Sequence, residues 1–254
     1  GYVWVRANLK RTQTVEMRAM DDLFLWIIIG VVFGGRIGSV LFYGFQQDPT
    51  RYFSDPMAWL AVWDGGMSFH GGFLGVLLAV VIWSRFNRKT RFWEVTDLLA
   101  ISAPIGLFFG RIANFINGEL YGRPTDVPWA MRFPAYGPNG VKDQWTEPRH
   151  PSQLYESFLE GLVLLVVLNV MWRNPVVRAK GGIVTGGFIA GYGFFRFLVE
   201  FVRKPDNGIE AGFLKVAGLG AFTTGQELSF PMIIIGVAIM LWRRNQGPDG
   251  AAAK

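Results

Sequence analysis

Arg111 and Asn114 stand three residues apart near the end of an apolar run, and Asn117, Gly118 and Glu119 follow. That spacing puts the guanidinium and the amide on one helix face. A planar guanidinium with an amide one turn away can hold an anionic oxygen by directional hydrogen bonds. Glu119 can fix the arginine or take a hydroxyl. Tyr192, Arg196 and Glu200 form a second stripe, at i, i+4 and i+8 of a later apolar run. Arg196 is costly to bury alone, and Glu200 is its nearest partner in sequence. Two arginines at similar depth suit a phosphate. The plainer alternatives are an arginine reaching for the interface and a structural intrahelical ion pair.

A third cluster, Trp63-Asp64-Gly65-Gly66-Met67-Ser68-Phe69-His70-Gly71-Gly72, joins a loop to an apolar run. Glycines let backbone approach a ligand, and a histidine there exchanges protons near neutral pH. A histidine bonded to a neighbouring helix is the bland reading of His70. His150, beside Arg149, reads as structural or peripheral. Gln153, Glu156 and Glu160 open the next run. Gln153 can face the site, and the two glutamates can pair with arginines such as Arg36. Gly34-Gly35-Arg36-Ile37-Gly38 reads as a packing face, not a dinucleotide motif, because it lies inside an apolar run and follows no strand.

The elements that must carry these residues follow from composition. The chain has 254 residues, 51% hydrophobic and 17% charged, with 32 glycines and 10 tryptophans. Soluble domains carry about 25% charge. Apolar runs predict spans over 22–43, 67–84, 93–117, 152–172, 182–202 and 227–242. The fold class expected is all-α and polytopic, with six spans. Gly1–Asn8 reads as the last turns of a truncated first span, which makes seven in the complete protein. Residues 1–246 read as one transmembrane domain. It includes a small ordered cap over 119–151, rich in proline, and residues 247–254 read as a disordered tail.

Charge orients the spans. Basic flanks hold Arg6, Lys10, Arg11 and Arg18, then Arg85, Arg88, Lys89 and Arg91, then Arg173, Arg178 and Lys180, then Arg243 and Arg244. The positive-inside bias puts these flanks and the C-terminus in the cytoplasm, with the cap and the marked residues towards the outside. The net charge of +6 is thus spent on topology, and nucleic acid is not an expected partner. The absence of cysteine removes disulfides, cysteine-ligated metals and a cysteine nucleophile of the chain's own. The two histidines are too few for a histidine-rich metal site.

On its motifs the chain resembles the prolipoprotein diacylglyceryl transferase family. GRIANFINGELYG at Gly110–Gly122 is similar to the family signature. DGGMSFHGG at Asp64–Gly72, RHPSQLYE at Arg149–Glu156 and YGFFRFLVEF at Tyr192–Phe201 follow the family's order. The resemblance runs from about Gly1 to Arg244. It implies a bacterial inner-membrane enzyme that moves the diacylglyceryl group of phosphatidylglycerol to the lipobox cysteine of a prelipoprotein signal peptide, releasing glycerol 1-phosphate. It also implies no cofactor and no metal, with membrane lipids as surroundings and a monomeric enzyme.

Carried over by motif, the family's essential residues fall on His70, Arg111, Asn114, Glu119, Gly122, Tyr192, Arg196 and Glu200. Gln153 joins the expected substrate-binding set by position. Arg111 and Arg196 would hold the phosphate. His70 is the simplest base for the thiol, with Glu119 or Glu200 as alternatives. The family's first-span tyrosine, in a WYG-like element, has no counterpart before Tyr2, and Tyr2 does not take its role. A transporter of an anionic lipid or solute is the competing reading. It would favour repeated halves, and no repeat is visible here. A noncatalytic lipid-binding protein is the third, and would tolerate loss of His70.

Overall fold

The computed structural model describes residues 1–12, 16–44, 49–87, 92–135, 143–204 and 222–246. The expected tail, most of the loop after Lys204, and Arg88, Lys89 and Arg91 lie outside the described residues. In chain order the helices are α1 (Tyr2–Thr12), α2 (Met17–Ser39), α3 (Pro49–Ser54), α4 (Phe69–Phe86), α5 (Phe92–Ala100), α6 (Ala103–Asn117), α7 (Ser152–Glu156), α8 (Leu164–Arg173), α9 (Pro175–Ala179), α10 (Ile183–Val199) and α11 (Thr224–Arg244). A π-helical turn, Ser157–Val163, joins α7 to α8. Among the described residues the strands are a two-residue pair, β1 (Pro134–Ala135) and β2 (Gln144–Trp145), antiparallel within the expected cap.

Lipid offers no partner for backbone N–H and C=O groups, so a spanning run must close its own hydrogen bonds as helix. Four stretches are long and apolar enough to cross a membrane: Met17–Ser39, Phe92–Asn117, Ser152–Arg173 and Gly225–Arg244. Gly71–Phe86 and Ile183–Val199 are shorter apolar helices. All of them fall on runs read as spans from the sequence. Their outer faces expose large apolar side chains, among them Ile28, Ile29, Leu77, Leu78, Val166, Val167, Ile234 and Ile235. Such faces are a liability in water and ordinary in lipid. The fold is that of a polytopic helical membrane protein.

The chain forms two compact units, one of Tyr2 with Arg6–Val95 and one of Gly1, Val3–Val5 and Thr96–Lys254. In the first, α2 packs on α4 through glycines. A Cβ on Gly34 would lie 2.5 Å from the Gly71 carbonyl oxygen, and one on Gly38 would lie 2.5 Å from Gly71 Cα. Helices in lipid gain little from hydrophobic burial, so close backbone contact supplies the attraction. Ser68 caps α4, its hydroxyl accepting from Gly71 N at 3.3 Å, and Ser68 N donates to the Gly35 carbonyl at 2.9 Å. Arg36 is buried and donates to the carbonyls of Ala58, at 2.7 Å, and Gly65. Its charge thus faces backbone dipoles.

In the second unit, α10 starts on a buried carboxylate. Asp97 accepts from Gly182 N at 2.8 Å, Thr185 N at 2.7 Å and the Thr185 hydroxyl at 2.5 Å. These are N-terminal donors that the helix cannot satisfy itself. α11 opens with a capping box, Thr223 and Gln226 bonding each other's backbone N–H. α6 closes at Gly118, whose φ of 66° is one that glycine adopts without strain.

The α2–α4 interface makes a direct prediction. Gly71→Ala forces the helices apart and should lower stability by about 1–3 kcal/mol. Gly106→Ala, whose new Cβ meets nothing within 4 Å, should be neutral or stabilising. Thermal unfolding in detergent decides, and an equal response of the two variants would remove the claim that backbone contact holds the pair.

Candidate active site

Gly161 sits in the π-helical turn, where an added Cβ would come 2.7 Å from Phe108 Cβ. Its bare backbone lets α6 lie against this segment, and Arg111 follows Phe108 by three residues. The approach lays Arg111 along Glu156 and Glu160, carboxylates one turn apart. Arg111 Nε is 2.6 Å from Glu156 Oε2, and Arg111 Nη2 is 3.9 Å from Glu160 Oε2. π-helical turns recur at functional sites, where they re-aim side chains within an otherwise regular helix.

α10 brings the second arginine to the same carboxylate. Arg196 Nη1 lies 3.7 Å from Glu156 Oε1, and Arg196 Nη2 lies 3.0 Å from Glu200 Oε2. Arg203, just past α10, places its Nε 3.7 Å from Glu156 Oε1. Glu156 and Glu160 are buried to 1% and 0% side-chain exposure, while Arg111 and Arg196 keep 19% and 14%. The carboxylates lie behind and the guanidiniums lie in front. Tyr192 is one turn before Arg196, stacks on Phe188, and lies within electrostatic reach of Glu160 and Arg196. Glu200 also accepts from the Thr223 hydroxyl at 3.0 Å and rests against Gly225, at the start of α11.

The remaining signature residues form a hydrogen-bond chain beside Arg111. Arg111 Nη1 donates to Asn114 Oδ1 at 3.4 Å. Asn114 Nδ2 donates to Glu119 Oε1 at 2.8 Å, and Asn117 Nδ2 donates to the same oxygen at 3.3 Å. Glu119 thus meets amides, and Asn114 stands between it and the arginine. Gln153 is buried and donates to the Glu119 carbonyl at 2.7 Å. It supports the loop from behind. Gly122 is buried where three segments meet, and a Cβ there would lie 2.5 Å from the Val202 carbonyl and 2.8 Å from that of His150. Gly122 N donates to the His150 carbonyl at 2.9 Å, and Arg123 N donates to the Val202 carbonyl at 2.8 Å. The loop after α6 is stitched in this way to the end of α10. His150 itself bonds Tyr155 through Nδ1 at 3.3 Å.

One unit therefore gathers Arg111, Asn114, Glu119, Gly122, Gln153, Tyr192, Arg196 and Glu200. His70 belongs to the other unit, in the first turn of α4, and its side chain lies outside the described residues. The sequence marked Glu156 and Glu160 as partners for arginines but not which arginines they meet. Glu156, Glu160 and Arg203 were not among the expected site residues. The available signal was two glutamates one turn apart in an apolar run, which demand cations at their own depth. Arg111 and Arg196 were already known to need anions.

The arrangement presents two forked cations, partly exposed and held from behind, to any anionic oxygen arriving in front. Among the described residues no group of three or more candidate metal ligands forms.

Comparison with known proteins places this arrangement. The family model described as prolipoprotein diacylglyceryl transferase matches residues 1–242. A phosphatidylglycerol–prolipoprotein diacylglyceryl transferase of Azospirillum brasilense is 49% identical over 229 residues, covering 89% of this chain and 78% of the relative. The protein of that description from Rhodospirillum rubrum is 47% identical over 251 residues, covering 98% and 85%. The one from Paramagnetospirillum magneticum is 47% identical over 233 residues, covering 91% and 80%. With guanidiniums of the GRIANFINGELYG and YGFFRFLVEF motifs meeting at one buried carboxylate and a family match over nearly its whole length, the chain belongs to the prolipoprotein diacylglyceryl transferase family.

Proposed function

We propose that this chain transfers the diacylglyceryl group of phosphatidylglycerol to the cysteine thiol of a prelipoprotein lipobox, with Arg111 and Arg196 as the phosphate clamp. The thiolate attacks the glyceryl carbon that bears the phosphate ester. That carbon–oxygen bond breaks, a thioether forms, and glycerol 1-phosphate leaves. The observation that carries the reading is the meeting of Arg111 and Arg196 on Glu156. Charge grows on the leaving phosphate, and preset guanidiniums stabilise it without reorganising.

The proton must leave the thiol, because the thiolate is the nucleophile. His70 is the proposed base. Glu200 suits the task less, since its oxygens already meet Arg196 and the Thr223 hydroxyl. Glu119 is occupied by the amides of Asn114 and Asn117. Asn114 aligns Arg111 and can meet a phosphate or glycerol oxygen. Gly122 and Gln153 shape the loop that carries Glu119. Tyr192 lines the arginine stripe.

The enzyme is a multi-pass protein of the bacterial inner membrane in this reading. Residues 1–246 form the transferase domain, with six spans. The basic flanks and the C-terminus face the cytoplasm, and the 119–151 cap stands on the periplasmic side with the clamp beneath it. A monomer suffices, because the clamp is built within one chain.

Thioether formation tests the reaction. Purified protein, labelled phosphatidylglycerol and a lipobox peptide should give a cysteine-dependent gain in peptide mass together with glycerol phosphate. Arg111→Lys keeps the charge but cannot serve Glu156 and Asn114 together, so its turnover should fall by about 10²–10³-fold. Turnover at the parent rate would remove the clamp. His70→Asn should retain lipid binding and lose turnover, and full turnover would return the base to the carboxylates. The cysteine-free background tests the orientation. Asp126→Cys should react with a membrane-impermeant maleimide in spheroplasts, and Arg244→Cys only after lysis. The opposite pattern would invert the proposed topology.

A further inference from the structure

Among the described residues the cluster joins three guanidiniums, Arg111, Arg196 and Arg203, to three carboxylates, Glu156, Glu160 and Glu200. The guanidiniums thus face buried carboxylates before any lipid arrives. A cation pair meant only to bind phosphate tightly would not be matched in this way. Glu156 is the shared member: it meets all three arginines and is buried to 1%. A phosphate entering in front must compete with it for Arg111 and Arg196.

We infer that Glu156 is a positioning residue with two effects, aiming the arginine forks and holding down the site's affinity for phosphate so that the product leaves. The inference rests on the clamp proposed above. The charge on the phosphate changes during the reaction. The lipid phosphate is a diester with one negative charge, whereas the released glycerol phosphate is a monoester carrying about −1.5 to −2 near neutral pH. A cluster with surplus positive charge would therefore bind its product more tightly than its substrate. Uniformly tight binding of anions does not raise turnover. The buried charge of Glu156 reduces that surplus and leaves the forks in place.

The orienting effect has a geometric basis. Arg111 approaches Glu156 through Nε, which leaves Nη1 for Asn114 and both Nη groups on the side away from the carbon chain. Arg196 spans Glu156 with Nη1 and Glu200 with Nη2. Each fork is held at two points by groups from different segments. Removing Glu156 frees one point on each and leaves like charges facing one another. A purely structural ion pair predicts something else, since replacing it changes stability without tightening anion binding.

The test uses the full chain in detergent with glycerol 1-phosphate as a competitive inhibitor. Glu156→Gln removes the charge and keeps the shape. Its inhibition constant should fall by about tenfold to a hundredfold, the effect of one unscreened charge several ångströms away. Its kcat should fall by about 10²-fold, as misplacement of a clamp requires. Glu156→Asp keeps the charge but shortens the reach. It should hold the inhibition constant within about threefold of the parent, since the charge count is unchanged, while kcat still drops. The opposite movement of product affinity and turnover is the signature. An unchanged or weaker product affinity in Glu156→Gln, or an undiminished kcat, overturns the inference. Where Glu156→Gln does not fold, Glu156→Asp decides: tighter product binding or full turnover overturns it. Arg111→Ala separates the two levels. If it leaves the inhibition constant at the parent value, the clamp itself is wrong. If it weakens product binding and Glu156→Gln fails to tighten it, only the role of Glu156 is wrong.

Discussion

Charge neutrality in a dry interior is the constraint on which this second unit depends. A guanidinium taken out of water must meet an anion or return to the surface, because its desolvation is repaid only by close partners. Arg111 comes from α6, Arg196 from α10 and Arg203 from the segment beyond α10, and Glu156 at the end of α7 answers all of them. No one of these segments can shift along its axis without stranding a charge. The ion pairs thereby set the helix register in a bundle whose apolar faces alone would allow sliding.

Several features that look separate serve this one register. Gly161 lets α6 in close enough for Arg111 to reach back. Asp97 fixes the start of α10 by taking its N-terminal donors. At that same end, Arg243 of α11 donates to the Gly181 carbonyl at 2.7 Å and to the Lys180 carbonyl at 2.7 Å. Beyond the other end of α10, Gly122 and Arg123 pair with the backbone of Arg203 and Val202. Pinned at both ends, α10 presents Arg196 at a fixed depth, and the loop after α6 is tied to that depth through Gly122. Preorganisation of this kind is what electrostatic stabilisation of a leaving phosphate needs.

Much of this was legible from residue order, for a definite reason. Helical periodicity is local, so Arg111 with Asn114, and Tyr192 with Arg196 and Glu200, declared their shared faces, and the apolar runs declared the helices. The ion pair of Arg196 with Glu200 lies within one turn and could be read directly. Glu156 could not, because its cations lie 45 residues before it and 40 and 47 after it, and the sequence carries no distance between helices. The same gap left the arginine partners of it and Glu160 open, with Arg36 among them, and the structure has Arg36 donating to backbone carbonyls. Glu119 was open between an arginine and a hydroxyl, and an i, i+5 amide took it. The π-helical turn could not be read either, since Glu160 and Gly161 within Ser157–Val163 do not by themselves distinguish a π turn from an α-helix.

Gln153 and Gly122 are both tied to the loop that carries Glu119, in different ways. Gln153 carries its amide to the carbonyl of Glu119, whose carboxylate takes Asn114, whose amide oxygen takes Arg111. Along this chain a change at Gln153 passes through three hydrogen bonds before it reaches Arg111, each able to give a few tenths of an ångström. Gly122 acts more abruptly. Any side chain there meets the carbonyls of Val202 and His150, so the loop must leave the end of α10 and take Glu119 with it. Both residues act on the loop that carries Glu119. A substitution at either imitates the loss of a catalytic group, and only separate measurement of lipid binding and turnover tells shape from chemistry.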